Sequence, residues 1–275
     1  MPYLSAFIIF IMCCIWQTTS AIAANEKPDV LFFGYEDIEN PPYYLGTGQT
    51  IPQDNPGLTI ELLQQTAKRL NTPVHFKRMP WKRGLLNLQN NRLNGLFDAS
   101  YKKERAAFSH YPLSIKGLPD PTRALMVQRY MLYIKKGQQL FDWDGKSLRF
   151  KSSLKTIGIK TGYSIGSDLK KLGALVEEAS NSEKNITKLI VERLTSYADL
   201  EGMVDQYLAQ TPHHRQQVEK IEPPIKTKPY YLIFSQEFYR QYPDFAESFW
   251  DEIARFKLSP AYAALEEKYQ NAGSN

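Results

Sequence analysis

The sequence has little cysteine and little histidine. Of its 275 residues, two are cysteine and four are histidine. Both cysteines, Cys13 and Cys14, lie in one apolar run near the N-terminus, so a chain that loses this run has no thiol. Such a chain can form neither a disulfide nor a thiolate metal site. His75 and His110 have no partner at metal-ligand spacing, so we expect no metal and no cofactor.

A block of like charge is also missing. The chain has 34 Lys and Arg against 29 Asp and Glu, and the basic residues are dispersed among acidic ones. The net charge of +5 therefore indicates a solvated surface of mixed charge, and not the basic stripe that is typical of a nucleic-acid interface. We expect no nucleic-acid partner.

The sequence lacks an apolar run long enough to cross a membrane. The run at residues 4–16 is shorter than the roughly 20 residues that a spanning helix needs, and small residues follow it at 21–23. This order is typical of a cleavable signal peptide, although no Lys or Arg precedes the apolar run. An uncleaved anchor stays the alternative. We expect residues 1–24 to be a signal peptide that directs export.

The rest of the chain begins with alternating strand and helix patterns. The apolar run at 29–33 predicts a strand that ends at Gly34, and residues 59–70 place apolar side chains at helical spacing. Residues 74–78 predict the next strand, and a further helix and strand follow as far as Phe97. This order is typical of a parallel α/β sheet with right-handed crossovers.

A second block repeats the pattern. Residues 123–134 and 156–160 are strand-like, whereas residues 167–178 and 186–197 are predicted to be helices. From residue 229 the chain predicts one strand and two helices. Two α/β lobes are the simplest interpretation of this pattern in a chain of this length.

Residues 81–112 carry the most informative motif. They read as an aromatic and basic turn, a short amphipathic helix, a corner with glycine and a buried strand that ends at Asp98. Arg105 then precedes a Phe-Ser pair and Pro112. This order resembles the first lobe of extracellular solute-binding family 3, the bacterial periplasmic proteins that bind polar amino acids and similar small solutes.

The resemblance implies a fold and a division of the chain. The fold is the two-lobed type II periplasmic-binding-protein-like fold, in which each lobe is a mixed, mostly parallel sheet flanked by helices and the ligand lies in the cleft between the lobes. Lobe 1 would comprise residues 25–122 and 229–275, and lobe 2 residues 123–228. The crossings near 118–122 and 223–228 are the hinge candidates.

The resemblance also implies a function. It predicts a periplasmic monomer, not an enzyme, that captures a small polar and carboxylate-bearing solute by lobe closure. The solute would be an amino acid-like molecule or an organic anion. The expected partner is an ABC-type permease or a membrane sensor.

Arg105 and the turn that contains Ser164 are the first candidates for ligand contacts. A guanidinium offers paired donors to a carboxylate, and in the family an arginine in this setting grips the ligand carboxylate. Ser164 follows Thr161 and Tyr163 in a polar turn between a strand and a helix, where backbone N–H groups favour an anion. By the resemblance, Arg105 and this turn clamp one anionic group from opposite lobes.

Aromatic side chains are the next candidates. In the family, aromatic residues after the first strand and before the second helix sandwich the ligand, which points to Tyr35, Tyr44 and Trp81. Each of these side chains would also suit a core. Ser100 is a candidate hydrogen-bond donor, whereas Asp98 is expected to fix the corner at the end of its strand.

One position departs from the amino-acid binders of the family. They commonly place an Asp where this chain has Thr195, and that Asp holds the α-amino group of the ligand. A buried amine without a counter-charge is costly. If the ligand is a plain amino acid, Glu36, Asp98 or Asp199 has to bind its amine. An organic anion remains the alternative ligand.

The turn around Ser164 also spells G-x-S-x-G, the nucleophile elbow of α/β-hydrolases. A triad would need Asp199 or Asp205 followed by His213 or His214, and both histidines lie in a polar stretch. An enzyme on the same scaffold, either a Ser164-dependent hydrolase or a dehydratase-like or lyase-like protein, is the alternative to solute binding. The third possible function is that of an interaction protein of the envelope that binds no ligand.

Overall fold

The computed structural model describes residues 27–272. The predicted signal peptide and both cysteines lie outside the described residues. Within the described part of the chain, no helix combines the length and the apolar character needed to cross a membrane.

The first lobe is built on three parallel strands that alternate with helices. Its elements in chain order are β1 (Leu31–Glu36), α1 (Leu58–Arg69), β2 (Val74–Met79), α2 (Trp81–Gln89), β3 (Gly95–Ser100), α3 (Lys103–Ala106) and β4 (Ser109–His110). Strand β1 pairs in parallel with β2 on one side and with β3 on the other. The α/β alternation predicted for this part of the chain is therefore confirmed.

Helix α1 shows why the sequence pattern identified the lobe. Ile60, Leu63 and Ala67 recur at helical spacing, and all three are buried. Gly57 precedes the helix with a φ of 118°, a conformation that is essentially restricted to glycine. The helix thus starts at a glycine and buries one apolar face against the lobe.

The second lobe repeats the alternation of strands and helices. After a short 3₁₀ turn (Pro121–Arg123), its elements are β5 (Met126–Lys135), β6 (Phe141–Trp143), β7 (Leu148–Phe150), β8 (Thr156–Lys160), α4 (Ile165–Lys171), β9 (Leu175–Ala179), α5 (Ser182–Ile190), β10 (Ser196–Leu200), α6 (Glu201–Gln210) and α7 (Pro212–Arg215). Strand β8 is parallel to both β9 and β10, and β10 is antiparallel to β5. Strands β6 and β7 form a separate hairpin.

Two of the predicted helices were too long. Helix α4 ends before Gly173, which has a φ of 85°, and the residues after it form β9 instead of continuing the helix to 178. Helix α5 ends before Glu192, which has a φ of 62°, and the fully buried strand β10 follows. In both cases a left-handed residue ends the helix, and pairing in the sheet then decides the structure of the next segment.

One long strand, β11 (Val218–Ser235), joins the lobes. It runs antiparallel to β5 from the Val218–Lys135 pair to the Tyr230–Met126 pair, and its last residues pair with β3. The strand order is therefore β2-β1-β3-β11-β5-β10-β8-β9 in one continuous sheet. Strands β5 and β11 form the connection between the lobes, and the division of the chain at residues 122 and 228 stays a prediction.

The C-terminal helices return to the first lobe. They are α8 (Gln236–Gln241), α9 (Pro243–Lys257) and α10 (Pro260–Ala272). Helix α9 contacts α1 and buries four apolar side chains that recur at helical spacing, Phe245, Phe249, Ile253 and Phe256. Trp250 is fully buried on the same helix, and its indole N–H donates to the Leu232 carbonyl at 2.8 Å.

Candidate functional site

The carboxyl ends of strands from both lobes meet at one place. Glu36 ends β1 and Ser100 ends β3, whereas Lys160 ends β8 of the second lobe. The Glu36 carboxylate lies 2.9 Å from the Lys160 ammonium, and the hydroxyl of Ser100 lies 2.7 Å from that of Ser164. In open α/β sheets, ligands bind outside the carboxyl ends of the strands. The candidate site therefore lies between the lobes.

A small space, which we call the central cavity, lies at this junction. Its volume is about 20 Å³, enough for about one water molecule. Residues of both lobes and of the connecting strands line it: Glu36, Tyr44, Trp81, Asp98, Ser100, Arg105, Gln128, Tyr130, Tyr163, Leu200 and Tyr230. A solute as large as an amino acid fits there only if the lobes separate.

Glu36, Lys160 and Tyr163 hold the lobes together, and we call this group the lobe latch. The Lys160 side chain is 1% exposed and that of Glu36 is 7% exposed, so the ion pair is buried. The Tyr163 hydroxyl donates to the other oxygen of Glu36 at 2.5 Å. Burial, together with the Glu36 carboxylate, raises the pKa of Tyr163 well above its ordinary value, so the hydroxyl keeps its proton and remains a donor.

Arg105 makes a second connection between the lobes. Its two terminal nitrogens donate to the main-chain carbonyls of Ser100 and Gly162, each at 2.8 Å. Gly162 lies in the turn after β8, so the guanidinium spans the junction, and it lies 5.2 Å from the centre of the Trp81 ring. Both acceptors are neutral, and so the buried positive charge of Arg105 is hydrogen-bonded without being paired to an anion by these contacts.

Ser164 is hydrogen-bonded to Ser100 and to Lys228. Besides Ser100, it accepts a hydrogen bond of 3.1 Å from Lys228, whose ammonium is ion-paired with Asp168 at 2.5 Å. Burial lowers the pKa of Lys228, and the Asp168 carboxylate opposes this shift. The ion pair with Asp168 favours the cationic form of Lys228, whereas a general base for a serine hydroxyl has to be neutral.

The triad considered from the sequence is not assembled among the described residues. His214 lies on α7, and its Nδ1 is 2.7 Å from the hydroxyl of Tyr207. The Asp199 carboxylate accepts hydrogen bonds from Tyr197, Ser182 and the Leu200 N–H inside the second lobe. Both groups are therefore engaged away from the serine.

Asp98 differs from every other acid at the junction. It has a φ of 60°, it is buried, and neither of its carboxylate oxygens has a hydrogen-bond partner among the described residues. Burial is the main cause that raises its pKa well above the ordinary value, and the nearby Glu36 adds to it. The sequence analysis expects Asp98 to fix the corner at the end of its strand, and among the described residues its carboxylate makes no hydrogen bond that would do so.

Two donors share this property. The indole nitrogen of Trp81 and the amide nitrogen of Gln128 are buried without a hydrogen-bond partner within residues 27–272. Both residues line the central cavity together with Asp98. Buried polar groups are nearly always paired, so three such groups around one cavity need an explanation.

The structure places five of the predicted site residues on the wall of the central cavity: Tyr44, Trp81, Ser100, Arg105 and Tyr163. Ser164 contacts this wall through Ser100. Thr161 lies outside it, in a recess of about 450 Å³ that also includes Glu36, Trp81 and Lys160. Tyr35 is in the core of lobe 1, stacked on Phe97 at 4.8 Å.

Sequence reasoning missed part of the wall for identifiable reasons. Successive side chains of a strand point to opposite faces, so Glu36 reaches the junction and Tyr35 the core. Gln128, Tyr130 and Tyr230 come from the two connecting strands β5 and β11. Their position follows only from the pairing of segments about 100 residues apart, as the Tyr230–Met126 pair shows.

Comparison with known proteins gives the fold. No protein-family model matches the sequence, and no curated protein matches it. Solved structures do match, among them an ancestral arginine-binding protein bound to glutamine, with a TM-score of 0.65 and 19% identity over 89% of this chain and 99% of that chain.

Two further structures have the same fold. A histidine kinase sensor domain with similarity to periplasmic binding proteins has a TM-score of 0.66 and 13% identity, over 87% of this chain and 95% of its own. An arginine 3rd transport system periplasmic binding protein from Legionella pneumophila also has a TM-score of 0.66 and 13% identity, over 87% and 99%. The predicted two-lobed periplasmic-binding-protein fold is therefore confirmed.

Proposed function

We propose that this protein captures a small polar solute between its lobes and is not an enzyme. The observation that carries the proposal is the set of buried, unpartnered polar groups around the central cavity. Each such group costs about 1–3 kcal/mol when it is left without a hydrogen bond. A protein tolerates this cost where a ligand supplies the missing partners, because binding then recovers it.

Solute entry requires the lobes to move apart. A cavity of about 20 Å³ is far smaller than an amino acid, so the lobe latch and the bonds of Arg105 to Ser100 and Gly162 must open first. Strands β5 and β11 are the connection around which this movement takes place. A carboxylate would then compete for Arg105, because a charge-assisted hydrogen bond is stronger than one to a neutral carbonyl.

The predicted export signal and the fold together favour action in the periplasm. Among the similar structures are a transport-system binding protein and a sensor domain, so we propose that the monomeric, solute-loaded protein meets either an ABC-type permease or a membrane sensor. Both partners would recognise the closed arrangement of the lobes, which the solute stabilises.

A thermal-shift screen tests the proposal. The exported form of the chain is heated with L-amino acids, small organic acids and oligopeptides, beside Arg105→Ala and the control Arg92→Ala on an exposed position. A ligand at 100 times its Kd adds about 2.7 kcal/mol of stability, and one kcal/mol corresponds to about 2–4 °C in a chain of this size.

We expect a carboxylate-bearing compound to stabilise the wild type and Arg92→Ala but not Arg105→Ala. The shift caused by the ligand is compared within each variant, since Arg105→Ala also loses two internal hydrogen bonds. If no compound in the screen shifts the wild type, solute capture is wrong. A bound compound that is converted to product would instead establish an enzyme.

A further inference from the structure

Asp98 is the acidic group of the central cavity that has no positive partner. Glu36 is paired with Lys160, and Asp168 beside the cavity is paired with Lys228. Within the described part of the chain, both oxygens of Asp98 lack any hydrogen-bond partner although the residue is only 8% exposed. A charge in this position is costly unless something else pairs with it.

The backbone conformation at Asp98 is itself energetically unfavourable. Its φ of 60° is in the left-handed region, where Asp and Asn are tolerated better than other residues with a side chain. The residue lies in β3, a strand whose residues are all buried. An unfavourable backbone conformation and an unpaired buried carboxyl at one position suggest a function rather than a contribution to stability.

Arg105 lies on the same lobe as Asp98 and carries the opposite charge. It lines the same cavity, and the acceptors of its two terminal nitrogens are neutral carbonyls. A ligand with both a carboxylate and an ammonium group would pair with Arg105 and Asp98 together. An organic anion would leave the Asp98 carboxyl without an ionic partner and would place its own negative charge beside the Glu36 carboxylate.

The two residues of the second lobe that are candidates for binding the amine already make other hydrogen bonds. The Thr195 hydroxyl donates to the Leu154 carbonyl at 2.8 Å, away from the cavity wall. The Asp199 carboxylate is occupied by Tyr197, Ser182 and the Leu200 N–H. Neither residue lines the central cavity.

We propose that Asp98 binds the ammonium group of the ligand, an inference that rests on the proposed function. The solute is then a zwitterion of the amino acid class. Lobe 1 then recognises both charges of the solute before closure. The second lobe closes over it through Tyr163 and Leu200. The rings of Tyr44, Trp81 and Tyr130 line the same cavity and add to the binding of a cation.

The test compares matched ligands by isothermal titration calorimetry. Each common L-amino acid is titrated beside its deamino acid, the same carboxylic acid with hydrogen in place of the amine. The proteins are the wild type, Asp98→Asn and the control Asp199→Asn, which neutralises a buried acid outside the cavity. Asparagine has nearly the same shape as aspartate and tolerates a φ of 60°.

We expect the wild type to bind at least one amino acid and to bind its deamino acid at least about 30-fold more weakly. Asp98→Asn should lose a similar factor for the amino acid alone, whereas any affinity for the deamino acid stays unchanged or rises. Asp199→Asn should keep the preference for the amine. The unliganded Asp98→Asn protein should melt no lower than the wild type, because it no longer buries an unpaired carboxyl.

Three results would overturn the inference. If Asp98→Asn keeps full affinity for the amino acid, the amine is bound elsewhere while solute capture stands. If Asp98→Asn melts several degrees lower and loses both ligands alike, the residue is structural. If the wild type binds neither class of compound, solute capture itself fails and this inference fails with it.

Discussion

Replacement of Lys160 by methionine should open the protein without unfolding it. The change leaves Glu36, whose side chain is 7% exposed, with the Tyr163 hydroxyl but without its positive partner. Removing one member of a buried ion pair costs about 3–5 kcal/mol. The closed arrangement should therefore lose a factor of about 10² to 10³·⁵ relative to an open one, in which water reaches the carboxylate.

Small-angle X-ray scattering measures this effect directly. We expect a larger radius of gyration for unliganded Lys160→Met than for the wild type, with a return to the compact value in Glu36→Gln/Lys160→Met, where no charge is left unpaired. Lys188→Met is the control, because its pair with Glu177 lies on the surface of the second lobe and is worth less than about 1 kcal/mol. Identical scattering and identical stability of Lys160→Met and the wild type would refute the role of the latch.

Two further predictions concern stability. Burial, and to a lesser extent Glu36, raise the pKa of Asp98, so the folded protein holds the proton of this carboxyl more tightly than the unfolded chain does. The stability of the folded protein should therefore fall as the pH rises above about 4. Thermal melts of the wild type and of Asp98→Asn should diverge as the pH rises through this range. Gly57→Ala should lower the free energy of unfolding by about 3 kcal/mol or more, because φ is 118° and the new Cβ would lie 2.4 Å from a main-chain oxygen. Gly48→Ala, with a φ of 72° and no atom within 4 Å, should cost less in the same denaturant titration, and equal losses would contradict the steric argument.

The fold was largely predictable because its signals are local. Helix α1 has a regular apolar stripe, and β8 ends at the residue that the sequence suggested. Strand β9 was missed although Gly173 is a local signal that ends a helix. Strand β10 was missed because Glu192, which is left-handed in the structure, gives no such signal in the sequence.

The site was predictable where one motif determines it and not where distant segments meet. Arg105 and Trp81 belong to one stretch of sequence, and both reach the cavity. Tyr35 was misjudged because a shift of one residue along a strand reverses the face to which a side chain points. The unpaired state of Asp98 depends on what surrounds it in three dimensions, which the sequence does not state.

The connection between the lobes also forms part of the wall of the central cavity. Gln128 and Tyr130 lie on β5 and Tyr230 lies on β11, and all three line the central cavity. A twist of this two-stranded ribbon therefore changes the spacing of side chains that a solute would touch. If the proposed solute bridges the two strands, it would stiffen the ribbon, and its residence time would then depend on the torsional rigidity of two strands as well as on the contacts of the lobes.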